Sequence, residues 1–341
     1  MTHQAKNILI TGGAGFIGCN FVRHVLQNDA STKIINLDAL TYAGSLDNLS
    51  NLPDPSRHFF VRGDICDRRL VDRLLREHQI DTVVHFAAES HVDRSITGPG
   101  AFVQTNVVGT YTLLEACRLY WQEEMKWNAA QCRFHHISTD EVYGTLSESD
   151  PAFTENAPYA PNSPYSASKA ASDHLVRAYF HTYQLPVVTT NCSNNFGPHQ
   201  HEEKFIPTII RACKDQTPIP VYGDGRNIRD WLYVDDHCAG ILAVLHGGRL
   251  GETYNIGGNN EQRNIDIVKL ICRLMDRIKP DGAPHEKLIS FVTDRPGHDW
   301  RYAIDASKLT KELGWNRAER FEEEMRSTIN WLLTAAENAE L

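Results

Sequence analysis

Two groups of side chains in this sequence are of types that do chemistry together. The first is Ser138-Thr139-Asp140-Glu141, hydroxyls followed by two adjacent carboxylic acids, closing the mixed apolar and histidine run Phe134–Ile137. The second is Tyr165 and Lys169, four residues apart and so on one face of a helix. A nearby ammonium favours the phenolate, which lets a Tyr take a proton near neutral pH. Two adjacent acids can divide acid and base work, because close like charges push their proton affinities apart. Each group has a plainer alternative. Acids at a strand end are often solvated or cap the next helix, and Tyr and Lys at this spacing occur on ordinary amphipathic helices. The surrounding elements decide between these readings.

Asn7–Thr11 is a short apolar strand that runs directly into Gly12-Gly13-Ala14-Gly15-Phe16-Ile17-Gly18. Phe21, Val22, Val25 and Leu26 then fall at helical spacing. Strand, glycine loop and helix form the context in which backbone N–H groups receive a dinucleotide pyrophosphate. A second strand, Lys33–Leu37, ends at Asp38, placed to bond the adenosine ribose hydroxyls. No Arg follows among Ala39, Leu40 and Thr41 to accept a 2′-phosphate, which favours NAD over NADP. Phe59–Arg62 reads as a third strand, with Asp64 and Ile65 in the loop beside the adenine. Thr82–Ala88 reads as a fourth, ending in Glu89-Ser90-His91, where Ser90 is placed to meet cofactor or substrate. The segment Phe134–Gly144 is then the fifth strand of a nucleotide fold, and its acids stand at the sheet edge where ligands bind.

The chain resembles the extended short-chain dehydrogenase/reductases, and among them the NAD-dependent sugar-nucleotide dehydratases. The resemblance runs from Ile8 to about Trp315. It rests on ITGGAGFIG, DALTYAG, HFAAESHVDRSITGP, HHISTDEVYG, SPYSASKA, TNCSNNFGP, RDWLYVDDH, YNIGG and DRPGHDWRYAID. Asp140-Glu141 after Thr139 is what separates the dehydratases from related epimerases and decarboxylases. The family pattern has Tyr where this chain has Phe196, a swap that loses a hydroxyl and keeps the packing. The loop His199–Glu203 also departs from the pattern.

The resemblance implies a Rossmann-type doubly wound parallel sheet with a smaller C-terminal α/β lobe for the substrate. Residues 1–190 would form the NAD domain, with strands returning from about 230–260, and 191–341 mainly the sugar-nucleotide lobe. It implies that Phe86, Ala87, Ala88, Thr105 and Asn195 also touch the cofactor. It places Asn194, Lys204, Phe205, Pro220, Tyr222 and Asn264 on the sugar nucleotide, with Asp294, Arg295 and His298 in a loop closing over it. Arg229 suits a diphosphate through its planar fork; a structural pair with Asp230 or Asp235 is the alternative. The implied reaction is loss of water from dTDP-glucose to give the 4-keto-6-deoxy sugar nucleotide. Tyr165 takes the C4 hydroxyl proton as NAD takes the C4 hydride, with Lys169 and Thr139 assisting. Glu141 then removes the C5 proton, Asp140 protonates the departing C6 hydroxyl, and the hydride returns to C6. Asp140 is expected to be the protonated member of a coupled pair.

Other readings are dehydration of UDP- or CDP-glucose, 4-epimerisation, which has no use for the two acids, and a non-catalytic NAD-binding role. His135 and His136 are adjacent on a strand and point to opposite faces, so no metal is expected. The net charge of -9 gives no basic surface for nucleic acid or an anionic membrane. Eight scattered Cys without a C-x-x-C suggest reduced thiols in the cytoplasm. The amino terminus is too polar for a signal peptide, and no run of about 18 apolar residues suggests a membrane span. Thr105–Tyr120 reads as a helix able to pair with Tyr165–Tyr183 in a homodimer, and Trp121–Gln131 as a polar surface loop.

Overall fold

The computed structural model describes residues 2–294 and 297–339, with side chains as far as 334. Asn7–Thr11 is apolar on both faces, as a strand covered by helices on each side must be, and forms β1 near the middle of a seven-stranded sheet. Its companions are β2 (Lys33–Asp38), β3 (His58–Arg62), β4 (Thr82–His85), β5 (Arg133–Thr139), β6 (Val187–Cys192) and β10 (Thr253–Ile256). The order is β10-β6-β5-β4-β1-β2-β3, with every neighbouring pair parallel. Chain order reverses between β1 and β4, and a doubly wound sheet takes its ligand in the crevice at that point.

The Phe16–Asn28 and Val234–Gly247 helices cover one face through Phe21, Val22, Val25, Ile241 and Val244. The Arg68–Glu77 and Pro164–Tyr183 helices cover the other, together with a continuous helix over 99–124. This last helix is longer than the sequence predicts. It begins at Pro99 and contains two wide-turn segments, Val103–Gly109 and Leu119–Glu124. Wide turns shift the apolar residues off the 3.6-residue period, which hides them from pattern reading. Trp121, expected at the start of a surface loop, is therefore inside the helix. It is fully buried, and its indole N–H donates to the Ile80 carbonyl at 2.8 Å.

A smaller sheet joins β7 (Asn194–Phe196), β9 (Ile228–Tyr233) and β11 (Glu261–Arg263) in the order β11-β9-β7. A two-stranded pair joins β8 (Ile219–Tyr222) and β12 (Ile289–Val292). The Phe205–Asp215, Asn264–Ile278 and Phe321–Ala339 helices pack around these strands through Ile206, Ile210, Val268, Ile271, Met325 and Ile329. Phe196 lies wholly inside this core against Trp231, Tyr233 and Phe321.

Two local structures aim the reactive groups. The Pro164–Tyr183 helix starts at a reciprocal cap: Ser163 Oγ accepts the Ser166 N–H, and Ser166 Oγ accepts the Ser163 N–H. The acids occupy a tight turn, Asp140–Tyr143, that opens directly from β5 with Thr139 Oγ1 accepting the Glu141 N–H at 3.3 Å. Gly144 closes it at φ +91°, where a Cβ would stand 2.4 Å from the Ala160 carbonyl oxygen. Ala160 N–H in turn donates to the Val142 carbonyl, so the turn is clamped to the 145–163 loop.

Candidate active site

A single cleft runs along the carboxyl ends of β1, β2, β4, β5 and β6 and gathers most of the predicted residues. At one end is the glycine loop. Gly12 has φ +74°, and a Cβ on it would stand 2.6 Å from the Ala87 nitrogen. A Cβ on Gly18 would meet the Gly12 carbonyl oxygen at 2.3 Å. The Phe16–Asn28 helix begins at Gly15 with no side-chain cap, leaving its first turn open to an anion. Asp38 is fixed by N–H donors from Ala14 (2.9 Å) and Leu40 (2.8 Å) on separate oxygens, and each oxygen keeps a lone pair for a hydroxyl. This cradle fits a dinucleotide.

Gly12, Gly15, Phe16, Ile17, Gly18, Asp38, Ala39, Thr41, Asp64, Ile65, Phe86, Ala87, Ala88, Ser90, Thr105 and Asn195 all line the cleft. Leu40 does not; at φ 52° it serves through its backbone, holding Asp38. Gly44, Glu89, Cys192, Gln200 and His201 also line it and escaped the sequence reading. Gly44 closes the DALTYAG motif, Glu89 and Cys192 lie within the HFAAESHVDRSITGP and TNCSNNFGP motifs, and Gln200 and His201 lie in the 199–203 loop. A Cβ on Gly44 would stand 2.9 Å from Asp38 Oδ1.

Thr139, Asp140, Glu141, Tyr165 and Lys169 meet at the other end of the same cleft. Thr139 stands between the two groups: its hydroxyl reaches Asp140 Oδ1 at 3.4 Å and acts on the Tyr165 phenol from the other side, favouring its charged form. Asp140 is buried, and its Oδ2 has no hydrogen-bond partner among the described residues. Burial, then the Glu141 and Asp230 charges, push its carboxyl well above the usual range, with Arg229 acting the other way. Tyr165 differs from the simple expectation of an ammonium-assisted phenolate. Burial, then Glu141 and Cys192, push its phenol well up. Lys169 instead donates to the Ile137 carbonyl at 2.7 Å, and burial pulls its ammonium down.

Of the predicted substrate residues, Ser90, Thr139, Asn194 and Lys204 line the cleft. Asn194 Oδ1 is buried without a partner among the described residues, and Lys204 Nζ donates to the Ser90 carbonyl at 3.1 Å. Phe205, Pro220, Tyr222, Arg229, Asn264, Asp294 and His298 lie outside the lining. Phe205 stacks on Trp231, and Pro220 and Tyr222 lie on β8. Tyr222 meets the His298 ring edge-on, and His298 Nδ1 lies 2.6 Å from Asp294 Oδ1. Asn264 N–H donates to the Asn227 carbonyl. Arg295 lies outside the described residues. Arg229 is buried. Its guanidinium donates to the carbonyls of Ile228 (2.7 Å), Asp299 (2.9 Å) and Trp300 (3.4 Å) and stacks on Tyr302. Asp230, the suggested partner, accepts the Gly258 and Asn260 N–H groups instead.

Three segments of the chain meet at Glu203, next to the cleft residues Thr41, Ser90 and Lys204. Its carboxylate lies 3.5 Å from Arg94 and 3.6 Å from His91, and Arg94 stacks on Tyr42 at 4.0 Å. His135 bonds Thr190 of β6 within the sheet, and His136 bonds Asp173 on the Pro164–Tyr183 helix.

Residues 9–328 match the family model described as GDP-mannose 4,6 dehydratase. The chain is 60% identical over 328 residues to the dTDP-glucose 4,6-dehydratase of Xanthomonas campestris pv. campestris (strain B100), covering 96% of this chain and 93% of that one. It is 52% identical over 335 residues to dTDP-glucose 4,6-dehydratase 1 of Escherichia coli (strain K12), covering 96% and 92%. Among solved structures it is similar to dTDP-glucose 4,6-dehydratase from Bacillus anthracis in complex with NAD. There the TM-score is 0.86 and the identity 46%, with 98% of each chain covered.

Proposed function

The chain belongs to the GDP-mannose 4,6 dehydratase family, and we propose on that footing that it removes water from dTDP-glucose to give dTDP-4-keto-6-deoxyglucose. It is an NAD-dependent hydro-lyase. The observation that carries the reading is the meeting of Thr139, Asp140 and Glu141 with Tyr165 and Lys169 in the cleft that the glycine loop opens. An oxidation site and an acid–base pair then act on adjacent carbons of one sugar.

Bound along the glycine loop, NAD supplies the hydride acceptor for C4 and the hydride donor for C6. Thr139 and Tyr165 hold the C4 oxygen, and Tyr165 takes its proton. Glu141 removes the C5 proton, made acidic by the C4 ketone. Asp140, kept protonated by burial and by Glu141, protonates the C6 hydroxyl as it leaves as water. Glu141 returns a proton to C5, and Tyr165 releases to solvent the proton that Asp140 regains. Asn194, with its unpartnered buried oxygen, is assigned to the sugar nucleotide, as are Lys204 and the outlying group around Arg229, Asn264, Tyr222 and His298. Residues 1–190 with β10 form the cofactor domain and the remainder the substrate lobe.

We place the enzyme in the cytoplasm as a homodimer. Its eight Cys are free thiols, which suits a reducing compartment. Among the described residues no helix is long and apolar enough to cross a membrane. Val103, Val108 and Tyr111 on the 99–124 helix and Tyr183 at the end of the Tyr165 helix are exposed, an apolar face that a second copy would cover. Sedimentation of the protein as a monomer at micromolar concentration would remove the dimer from the reading.

The deciding test is incubation of the purified protein with dTDP-glucose in deuterated water, without added NAD, followed by mass spectrometry. Loss of water with one deuteron at C5 is expected. Turnover of UDP- or CDP-glucose alone would move the substrate. Exchange of glucose for galactose without water loss would overturn the roles of Asp140 and Glu141.

A further inference from the structure

The helix that carries Tyr165 and Lys169 places a third ionisable residue on the same face one turn further on. Asp173 is four residues beyond Lys169 and is buried, at 5% exposure. Its carboxylate accepts three hydrogen bonds: from His136 Nε2 (3.0 Å), Ser138 Oγ (2.9 Å) and the Tyr159 hydroxyl (3.0 Å). Burial holds the His136 imidazole low, so all three donors are neutral near pH 7. A carboxylate buried among three donors is costly to place there without purpose. Two of its donors belong to β5. Ser138 lies between Ile137, whose carbonyl receives Lys169, and Thr139, which meets Tyr165.

Resting on the dehydratase reading, we propose that Asp173 is a positioning residue of the reaction: it is the acidic partner one turn beyond the buried Lys169 ammonium, and its bonds to β5 hold Lys169 and Thr139 at Tyr165. The surroundings of Lys169 leave this task to Asp173. From β4 and β5, the His85 and His136 rings are held neutral by burial. From β6, the Cys192 thiol is pushed up to about 12, first by burial, and is also neutral. From the acid turn, Asp140 is held protonated, and Glu141 acts on Tyr165. Tyr165 itself, on the same helix, carries charge only as the phenolate that takes the C4 proton, and that form is what the Lys169 ammonium favours. Against the burial that pulls Lys169 down, Asp173 is the largest opposing influence.

The test is the pH profile of water loss by Asp173→Asn, purified with its NAD. Asn keeps the shape. His136 Nδ1 has no partner among the described residues, so the ring can change tautomer and accept the Asn amide at Nε2. Turnover near about pH 6.5 is expected within a few-fold of the parent, with the alkaline limb moved down by about one to three pH units, as for loss of an adjacent opposite charge. At the alkaline end the rate then falls about tenfold or more relative to the parent. A uniform loss at every pH with an unmoved limb, or an unchanged profile, would overturn the proposal. If Asp173→Asn does not fold, it is combined with Lys169→Met. The double variant is expected to regain circular dichroism and bound NAD because neither charge is left alone. A double variant no better folded than the single one also overturns the pairing. A parent that fails to dehydrate dTDP-glucose defeats the functional reading, whereas an active parent with an unshifted variant defeats only this inference.

Discussion

Replacing Asp140 by Asn tests whether this acid is held protonated, through stability and without turnover. Burial first, then Glu141 and Asp230, makes the folded carboxyl hold its proton more tightly than an unfolded Asp does. Below the unfolded value of about 3.9 both states are protonated, and Asp140 contributes nothing to the pH dependence. Above it the unfolded chain releases the proton and the folded one does not. Stability therefore falls by about 1.4 kcal/mol per pH unit until the folded group ionises in turn. Asn cannot ionise, and it leaves no more polar atoms unsatisfied, because Asp140 Oδ2 already has no partner among the described residues. The variant should thus exceed the parent in stability by a margin that grows with pH. The margin reaches about 2 to 3 kcal/mol about two pH units above the unfolded value. The assay is urea unfolding of both proteins stripped of cofactor, since a bound ligand adds its own stabilisation. A margin that stays flat or shrinks between about pH 5 and pH 7 would show that Asp140 is ionised in the folded protein and would refute the reasoning. In the loaded enzyme the same substitution should slow water loss about 100- to 10,000-fold, the usual contribution of a general acid, while Glu141 still exchanges the C5 proton with solvent.

Tyr165→Phe removes only the phenolic oxygen, so turnover should fall about 100- to 10,000-fold with bound NAD unchanged when released and quantified; equal turnover would move the C4 base elsewhere. Gly18→Ala forces a Cβ to within 2.3 Å of the Gly12 oxygen and 2.8 Å of Gly13 Cα, backbone atoms with little room to yield. Overpacking of about 1–3 kcal/mol corresponds to NAD held about 5- to 150-fold more weakly, measured by equilibrium dialysis. Trp121→Ala empties a fully buried site and frees the Ile80 carbonyl. Urea unfolding should register a loss of about 3–5 kcal/mol with KM unchanged.

The parts of the site that were legible are those written in adjacent residues. Gly12 to Gly18 after a strand, Asp38 at the end of the next one, and Tyr165 with Lys169 on one helix face each carry their geometry in local spacing. The parts that were not legible depend on distant partners. Arg229 looks like a phosphate ligand from its type, and its hold on the carbonyls of Asp299 and Trp300, about 70 residues away, leaves no mark in local spacing. Asp173 carries no signal of its own in the sequence, because His136, Ser138 and Tyr159 come from elsewhere in the chain. The Glu203 cluster joins three segments with no shared pattern. Trp121 was misplaced because wide helical turns break the period by which a buried face is recognised.

The clamped turn that carries Asp140 and Glu141 is anchored by the Thr139 hydroxyl, which accepts the Glu141 N–H, and by backbone contacts at Val142, Gly144 and Ala160. Tyr165 and Lys169 stand on a separate element, and the glycine loop on a third. The fold thereby divides its labour: oxidation and reduction belong to the helix and the loop, and the commitment to expel water belongs to two side chains on the turn that follows β5. Descent with change can rewrite those two positions without renegotiating cofactor binding or the sheet. On such a scaffold the choice between losing water and merely inverting a carbinol is a local edit, open to lineages whose cores have long since diverged.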